Sequence, residues 1–311
     1  MSQTLVNIAP LKCRIDYTKR GLSLGSCFAS ELTMKLRRLF LPVTVNPFGT
    51  LYNPLSVADA IIRLASGVQF SEADLCFDGE LWHSFSHHHC FNSTDKIRML
   101  EKINSAFVQG VEALQKADYV IITLGTTRIF RHIDSNRTVA NCHKFPATFF
   151  VQECLDVKQT VEPLEQIFNT ILADKSVILS VSPIRYYNYG LADNSLNKAI
   201  IRMATEELCK RCPNVEYFPA YEIMIDELRD YHYYKPDTVH PTDRAVEYIA
   251  KRFFDATMDT ETLDLVTKVK NIVVAMEYQP IDPTTEDFAR FRSDIKLRIE
   301  EFRKSHPEVT F

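Results

Sequence analysis

The sequence predicts an α/β protein: a mostly parallel five-stranded sheet with helices on both faces, a three-layer α/β/α sandwich. Three observations predict it. Five short runs rich in apolar and β-branched residues recur along the chain, near-continuous as strands buried on both faces require. Segments with apolar residues at helical spacing separate them. Strand alternating with helix is the pattern of parallel βαβ units. The chain has 311 residues, 46% of them hydrophobic and 24% charged. That is enough for a large core, and it excludes a disordered, collagenous or disulfide-stapled chain.

The strands are expected at residues 20–25, 41–46, 118–125, 176–182 and 215–219. Phe28, Leu32 and Leu36 mark a helix after the first, and Ser56 to Asp59 resembles a capping box before Ile61, Ile62 and Leu64. Ile97, Leu100, Ile103, Phe107, Val111 and Leu114 form a long stripe before the third strand. Leu164, Ile167, Ile171 and Leu172 precede the fourth, and Leu196, Ile200, Met203 and Leu208 the fifth. Two β-hairpin inserts interrupt the rhythm. Residues 75–82 carry an Asp-Gly turn, and residues 129–139 surround Asp-Ser-Asn-Arg. Past Phe254 no strand signal remains; helices are expected around 263–276 and 285–303, the last with one apolar stripe. The expected organisation is one α/β domain over residues 1–255 and a helical extension over 256–311 packed on it.

The net charge of −4 offers no basic footprint for nucleic acid. No apolar run approaches the ~20 residues that cross a bilayer. The first residues lack the basic-then-apolar layout of a signal peptide, so the expected compartment is the cytoplasm, without membrane attachment. The eight cysteines are scattered, as reduced thiols would be. Cys209 and Cys212 have CxxC spacing but no second ligand pair, and read as incidental helix-end residues. Nothing in the sequence calls for a cofactor, and the oligomeric state is not legible.

Chemistry concentrates at two places. The first strand runs into Gly25-Ser26-Cys27, and a helix starts at once. Gly25 permits a tight turn. Ser26 and Cys27 then meet the free N–H groups of a helix N-terminus, which favours a lowered cysteine pKa. The bland alternative is a capping serine beside a small buried cysteine. Far downstream, Asp237 stands three residues before His240, in a loop ahead of a helix. Asp237 bonded to one imidazole nitrogen would leave the other to act as base. A plain surface turn with a helix cap explains an isolated DxxH equally well.

Several motifs carry a resemblance. Leu24-Gly-Ser-Cys-Phe-Ala29, the stretch from Asn46 to Pro54 (NPFGTLYNP), Asn141-Cys-His-Lys144, Ser182-Pro183 and Asp237 to Pro241 stand in the order found in the GSCFA-domain family. The chain resembles that family over roughly residues 21–283. The family is placed in the SGNH (GDSL-like) hydrolase superfamily, and the resemblance implies a flavodoxin-like five-stranded parallel sheet. It also implies a nucleophile at Cys27, where the superfamily has serine, or at Ser26 after a one-residue shift, with Asp237 and His240 as the acid–base pair. The superfamily's oxyanion glycine falls on Gly49, and its asparagine falls near Thr127, which offers only a hydroxyl. Asn53 or Asn141 would then supply the amide.

Other residues compete for a place in the site. Of His87, His88 and His89, at most two converge from an extended segment, so a metal site there would need His143 and Cys142. His88 matches a histidine of the family and is read as site-lining or structural. His143 and Lys144 follow the third strand, on the side of the sheet where ligands bind, and Lys144 would hold an anionic group or simply be solvated. Arg185, in an aromatic loop after the fourth strand, would grip an anion in a sugar or acyl pocket. The leading expectation is a hydrolase or acyl-transfer enzyme cleaving a small-molecule or carbohydrate ester. The competing one is a non-catalytic small-molecule or glycan-binding module that keeps the fold.

Overall fold

The computed structural model describes residues 4–311. The central sheet holds β1 (Gly21–Gly25), β2 (Val43–Val45), β5 (Tyr119–Leu124), β9 (Ser176–Val181) and β10 (Val215–Tyr217). Between them, in chain order, lie α1 (Cys27–Arg38), α2 (Pro54–Ser66), the pair β3 (Cys76–Phe77) and β4 (Trp82–His83), and α3 (Lys96–Lys116). After β5 come β6 (Arg128–His132), β7 (Thr138–Val139), β8 (Phe150–Cys154), α4 (Val157–Asn169) and, beyond β9, α5 (Leu191–Arg211). A short α6 (Ala220–Glu222), α7 (Asp243–Thr257), α8 (Thr260–Glu277) and α9 (Glu286–Ser305) complete the chain.

All central pairings are parallel, in the order β10-β9-β5-β1-β2. Counting only sheet strands this is 2-1-3-4-5, the flavodoxin-like winding, whose ligand crevice opens at the carboxyl ends of its first and third strands. The near-continuous apolar runs have the reason expected of them. Along β5, Val120, Ile122 and Leu124 pack on one face with α2, α3, α4 and α5, while Tyr119 and Ile121 pack on the other with α1, α7 and α8. Burying one Ile or Leu side chain is worth about 2 kcal/mol, so both faces contribute.

Three features differ from the sequence expectation. The second insert is a three-stranded antiparallel sheet, because β8 pairs along the whole of β6. The inner face of α5 is not the stripe Leu196–Ile200–Met203: Leu196 and Met203 are exposed, and Asn194, Asn197, Lys198, Ile201 and Ala204 face inward. Those polar groups meet carbonyls and turns at the ends of β5 and β9. In α3 the stripe starts at Met99, with Ile97 exposed.

At the C-terminal end, Val266, Val269 and Val273 of α8 pack with the α1–α7 face. From α9, Ile295 is buried and Phe302 packs against Phe311, which reaches Phe40. All eight cysteines are free. Among the described residues no helix is long and apolar enough to cross a membrane.

Candidate active site

The turn after β1 is held from three sides. Gly25 has φ +137, and a Cβ there would lie 2.3 Å from the Thr123 carbonyl oxygen of β5. Its N–H donates to Asn46 Oδ1 at 2.8 Å, and Asn46 Nδ2 donates to Ser30 Oγ of α1. The Ser26 N–H donates to Thr123 O, and the Leu51 N–H donates to Gly25 O. The NPFGTLYN stretch is thus the clamp on this turn, and Asn46, which the sequence marks as part of a motif without a role, is its anchor.

Ser26 stands at the N-cap of α1 but does not cap it; its hydroxyl is fully buried and donates to Ser182 Oγ at 3.0 Å. With no cap bond from the Ser26 side chain, the helix N-terminus keeps the donors that favour negative charge. Cys27, the next residue, is half-buried and opens onto a cavity of about 700 Å³ at the carboxyl ends of the sheet strands. Its Sγ lies 3.7 Å from the Tyr52 hydroxyl.

The Cys27 pKa is raised, not lowered. Burial is the largest cause and Glu31, one turn along α1, adds to it; the hydroxyls of Tyr52 and Thr50 and the Cys27 N–H oppose them. Desolvation outweighs the helix terminus, which reverses the sequence expectation of an activated thiolate. Alkylation of Cys27 by iodoacetamide is therefore expected to be slow at pH 7 and to climb through pH values above the ordinary thiol value of ~8.5. A rate already at its plateau at pH 7 would contradict this.

His240 reaches the same cavity from the far end of the chain. Its Nδ1 is 2.7 Å from Asp237 Oδ2, so the ring proton sits on Nδ1 and Nε2 carries the lone pair. Asp237 Oδ1 accepts the N–H groups of Val239 and His240. These two backbone bonds, followed by the imidazole bond, lower the Asp237 carboxyl to about 2, so it stays ionised across the neutral range. Tyr187 and Arg185 brace this loop: the Tyr187 hydroxyl donates to Asp237 O and the Arg185 guanidinium to Thr238 O. No hydrogen bond joins Cys27 or Ser26 to His240. Such bonds often tighten only when substrate arrives.

Asn53, Asn141 and Arg185 also line the cavity. Asn53 caps α2 with its Oδ1, which accepts the Ser56 N–H at 2.8 Å, and among the described residues its Nδ2 has no hydrogen-bond partner. Asn141 Oδ1 accepts the His143 N–H. The other expected residues lie elsewhere. The Gly49 N–H donates to Asn46 O, and Gly49 has φ +73 and packs so close to His88 that a Cβ would lie 2.5 Å from the His88 Cβ. Thr127 is fully buried, with its N–H and hydroxyl both donating to Asn197 Oδ1.

The histidines scatter for steric reasons. His87 is buried against Phe48 and Phe70, His88 is half-buried beside Gly49, and His89 is exposed. Burial pushes His87 down to about 3 and His88 to about 4. His143 and Lys144 have φ of 50 and 63, a left-handed turn that sends the His143 ring to Ser84 O at 2.8 Å and leaves Lys144 exposed. Among the described residues no group of three or more His, Cys, Asp or Glu side chains is placed to hold a metal ion.

Below the cavity, Lys198 is buried and its ammonium donates to Gly125 O and Ser182 O, both at 2.8 Å, tying the ends of β5 and β9 together. Burial lowers it to about 7. Nothing in the sequence marks it beyond a lysine next to a helix stripe. On the cavity wall Arg128 is paired with Asp193 and lies 4.0 Å from the Tyr189 ring centre.

Comparison with known proteins adds the following. A search of curated proteins finds no match. Among solved structures, the psychrotrophic esterase EstA from Pseudoalteromonas sp., inhibited by monoethylphosphonate, is similar at 13% identity, over 76% of this chain and 96% of that chain, with a TM-score of 0.35. The GSCFA family matches residues 20–253. The match begins just before β1 and ends inside α7, so it takes in the whole central sheet and every residue lining the cavity. The chain belongs to the GSCFA family.

Proposed function

We propose that the protein is an ester hydrolase or acyl-transfer enzyme of the SGNH type, with Cys27 as nucleophile and His240, oriented by Asp237, as general base and acid. One observation carries the reading: Cys27 and His240, far apart in sequence, open onto one cavity at the switch point of the sheet, and Asp237 holds the His240 ring from behind. The thiol is neutral at rest, so His240 Nε2 takes its proton as the sulfur attacks the ester carbonyl. The negative oxygen of the tetrahedral intermediate meets the donors of the α1 N-terminus and Asn53 Nδ2. Collapse breaks the C–O bond, and the alcohol leaves with the proton from His240. A water, or an acceptor alcohol, then attacks the thioester with His240 again as base, releasing the acyl group and restoring the thiol.

Ser26 is disfavoured as nucleophile because its hydroxyl is buried, bonded to Ser182 and outside the cavity. A second reading, a cavity that binds without catalysis, draws on the Cys27 contact with Tyr52 in place of His240. Assay of p-nitrophenyl acetate hydrolysis separates these. The whole chain is expected to turn it over, Ser26→Ala to stay within about threefold while losing about 1 kcal/mol of stability, and Asn53→Asp to lose about 100-fold. Asn53→Asp keeps the α2 cap, removes the donor and adds a negative charge that opposes the oxyanion. Hydrolysis lost in a stably folded Ser26→Ala would move the nucleophile to Ser26, and an inert whole chain would favour the binding reading.

A further inference from the structure

The three-stranded insert sheet turns one face to the cavity. Side chains alternate across strands, so Arg128 and Phe130 of β6 and Phe150 and Gln152 of β8 project from the same face. Val139 of β7 stands directly opposite Phe130 in the antiparallel pair and shares it. All five line the cavity. Ile129, on the opposite face, is fully buried in the body of the protein.

Apart from Gln152, this wall is apolar where charge would otherwise be expected. Arg128 is neutralised by Asp193 and covered by the Tyr189 ring, so it presents no free cation. Phe145, from the loop between β7 and β8, adds a third ring. The polar side of the cavity is at Arg185, whose guanidinium is held by Thr238 O and lies 5.2 Å from the Tyr234 ring centre.

We infer that the insert sheet is the acyl-binding wall of the site, and that it selects esters of an apolar acyl group several carbons longer than acetyl. The inference rests on the hydrolase reading for its name, but the wall itself is a binding property. An acyl carbonyl beside Cys27 places the carbons behind it in the same cavity as Phe130, Val139, Phe145 and Phe150. Each methylene transferred from water to such a wall is expected to strengthen binding about two- to fourfold.

The test uses the whole chain and a readout that needs no turnover. Straight-chain amides from acetamide to octanamide are assayed for how well they slow alkylation of Cys27 by iodoacetamide. The protecting concentration is expected to fall about two- to fourfold per methylene. In Phe130→Ser and Phe150→Ser this length dependence is expected to flatten, each variant being compared with its own Cys27 labelling rate without amide. Protection that does not improve with chain length in the parent protein would overturn the inference, even if both variants misfold. So would a length dependence unchanged in both variants. A parent that binds long amides but hydrolyses no ester would overturn the hydrolase reading and leave the wall standing.

Discussion

Replacing His240 by alanine is expected to lower ester hydrolysis by about 10³- to 10⁴-fold, and replacing Cys27 by alanine by at least as much. The size follows from the resting state of the site. Burial holds the Cys27 thiol neutral, so attack requires proton removal at the moment of bond formation. In the cavity, His240 is the residue whose geometry supplies that base, with Nδ1 tied to Asp237 and Nε2 left with its lone pair. The two losses should not add. Groups acting in one proton transfer are grossly non-additive, so the double variant is expected to be no slower than Cys27→Ala alone. Steady-state rates for the two single variants and the double variant check this. Losses that multiply would show that His240 acts independently of Cys27.

Gly25→Ala is the second large effect, and it falls on stability. Its φ of +137 disfavours any side chain, and the added carbon would lie 2.3 Å from a backbone oxygen in the middle of the sheet. Neither β5 nor the turn can move without breaking the Ser26–Thr123 bond and the Asn46 clamp. A loss above about 4 kcal/mol is expected in denaturant unfolding. Gly79→Ala is the control, since Gly79 also has positive φ (+105) but nothing stands within 4 Å of its Cβ. That variant should lose only about 1–2 kcal/mol, the backbone strain alone. Equal losses for the two variants would show that contact with Thr123 is not what restricts residue 25.

The central sheet was legible because a strand buried on both faces has no polar alternation to hide it, and β5 and β9 are such strands. The insert strand β8 was missed for the converse reason. It alternates, with Phe150 and Gln152 toward the cavity and Val151 and Glu153 away, in too few residues to stand out from a loop. Helix α5 misled because its buried face carries hydrogen-bonding work: Asn194, Asn197 and Lys198 meet the Tyr186 N–H, the Thr127 N–H and hydroxyl, and the strand-end carbonyls. An apolar stripe is a poor guide to the inner face of a helix that packs on strand ends.

The site was legible by position and less so by orientation. Cys27, Asn53, Asn141, Arg185 and His240 meet at one cavity, and Asp237 bonds His240 from behind. His143 and Lys144 are turned away by two left-handed residues in succession, a backbone event that histidine and lysine do not announce. The direction of the Cys27 pKa was likewise hidden, because a helix N-terminus is visible in sequence and the depth of burial that opposes it is not.

The most direct measurement of the central claim is the site of the acyl group during turnover. The whole chain is mixed with p-nitrophenyl acetate, quenched in acid within the first turnover, digested and analysed by mass spectrometry. An acyl group on the peptide carrying Cys27, located on the cysteine, absent in Cys27→Ala and much reduced in His240→Ala, is the predicted result. An acyl group on Ser26 or elsewhere, or hydrolysis that proceeds at the parent rate in Cys27→Ala, would contradict it.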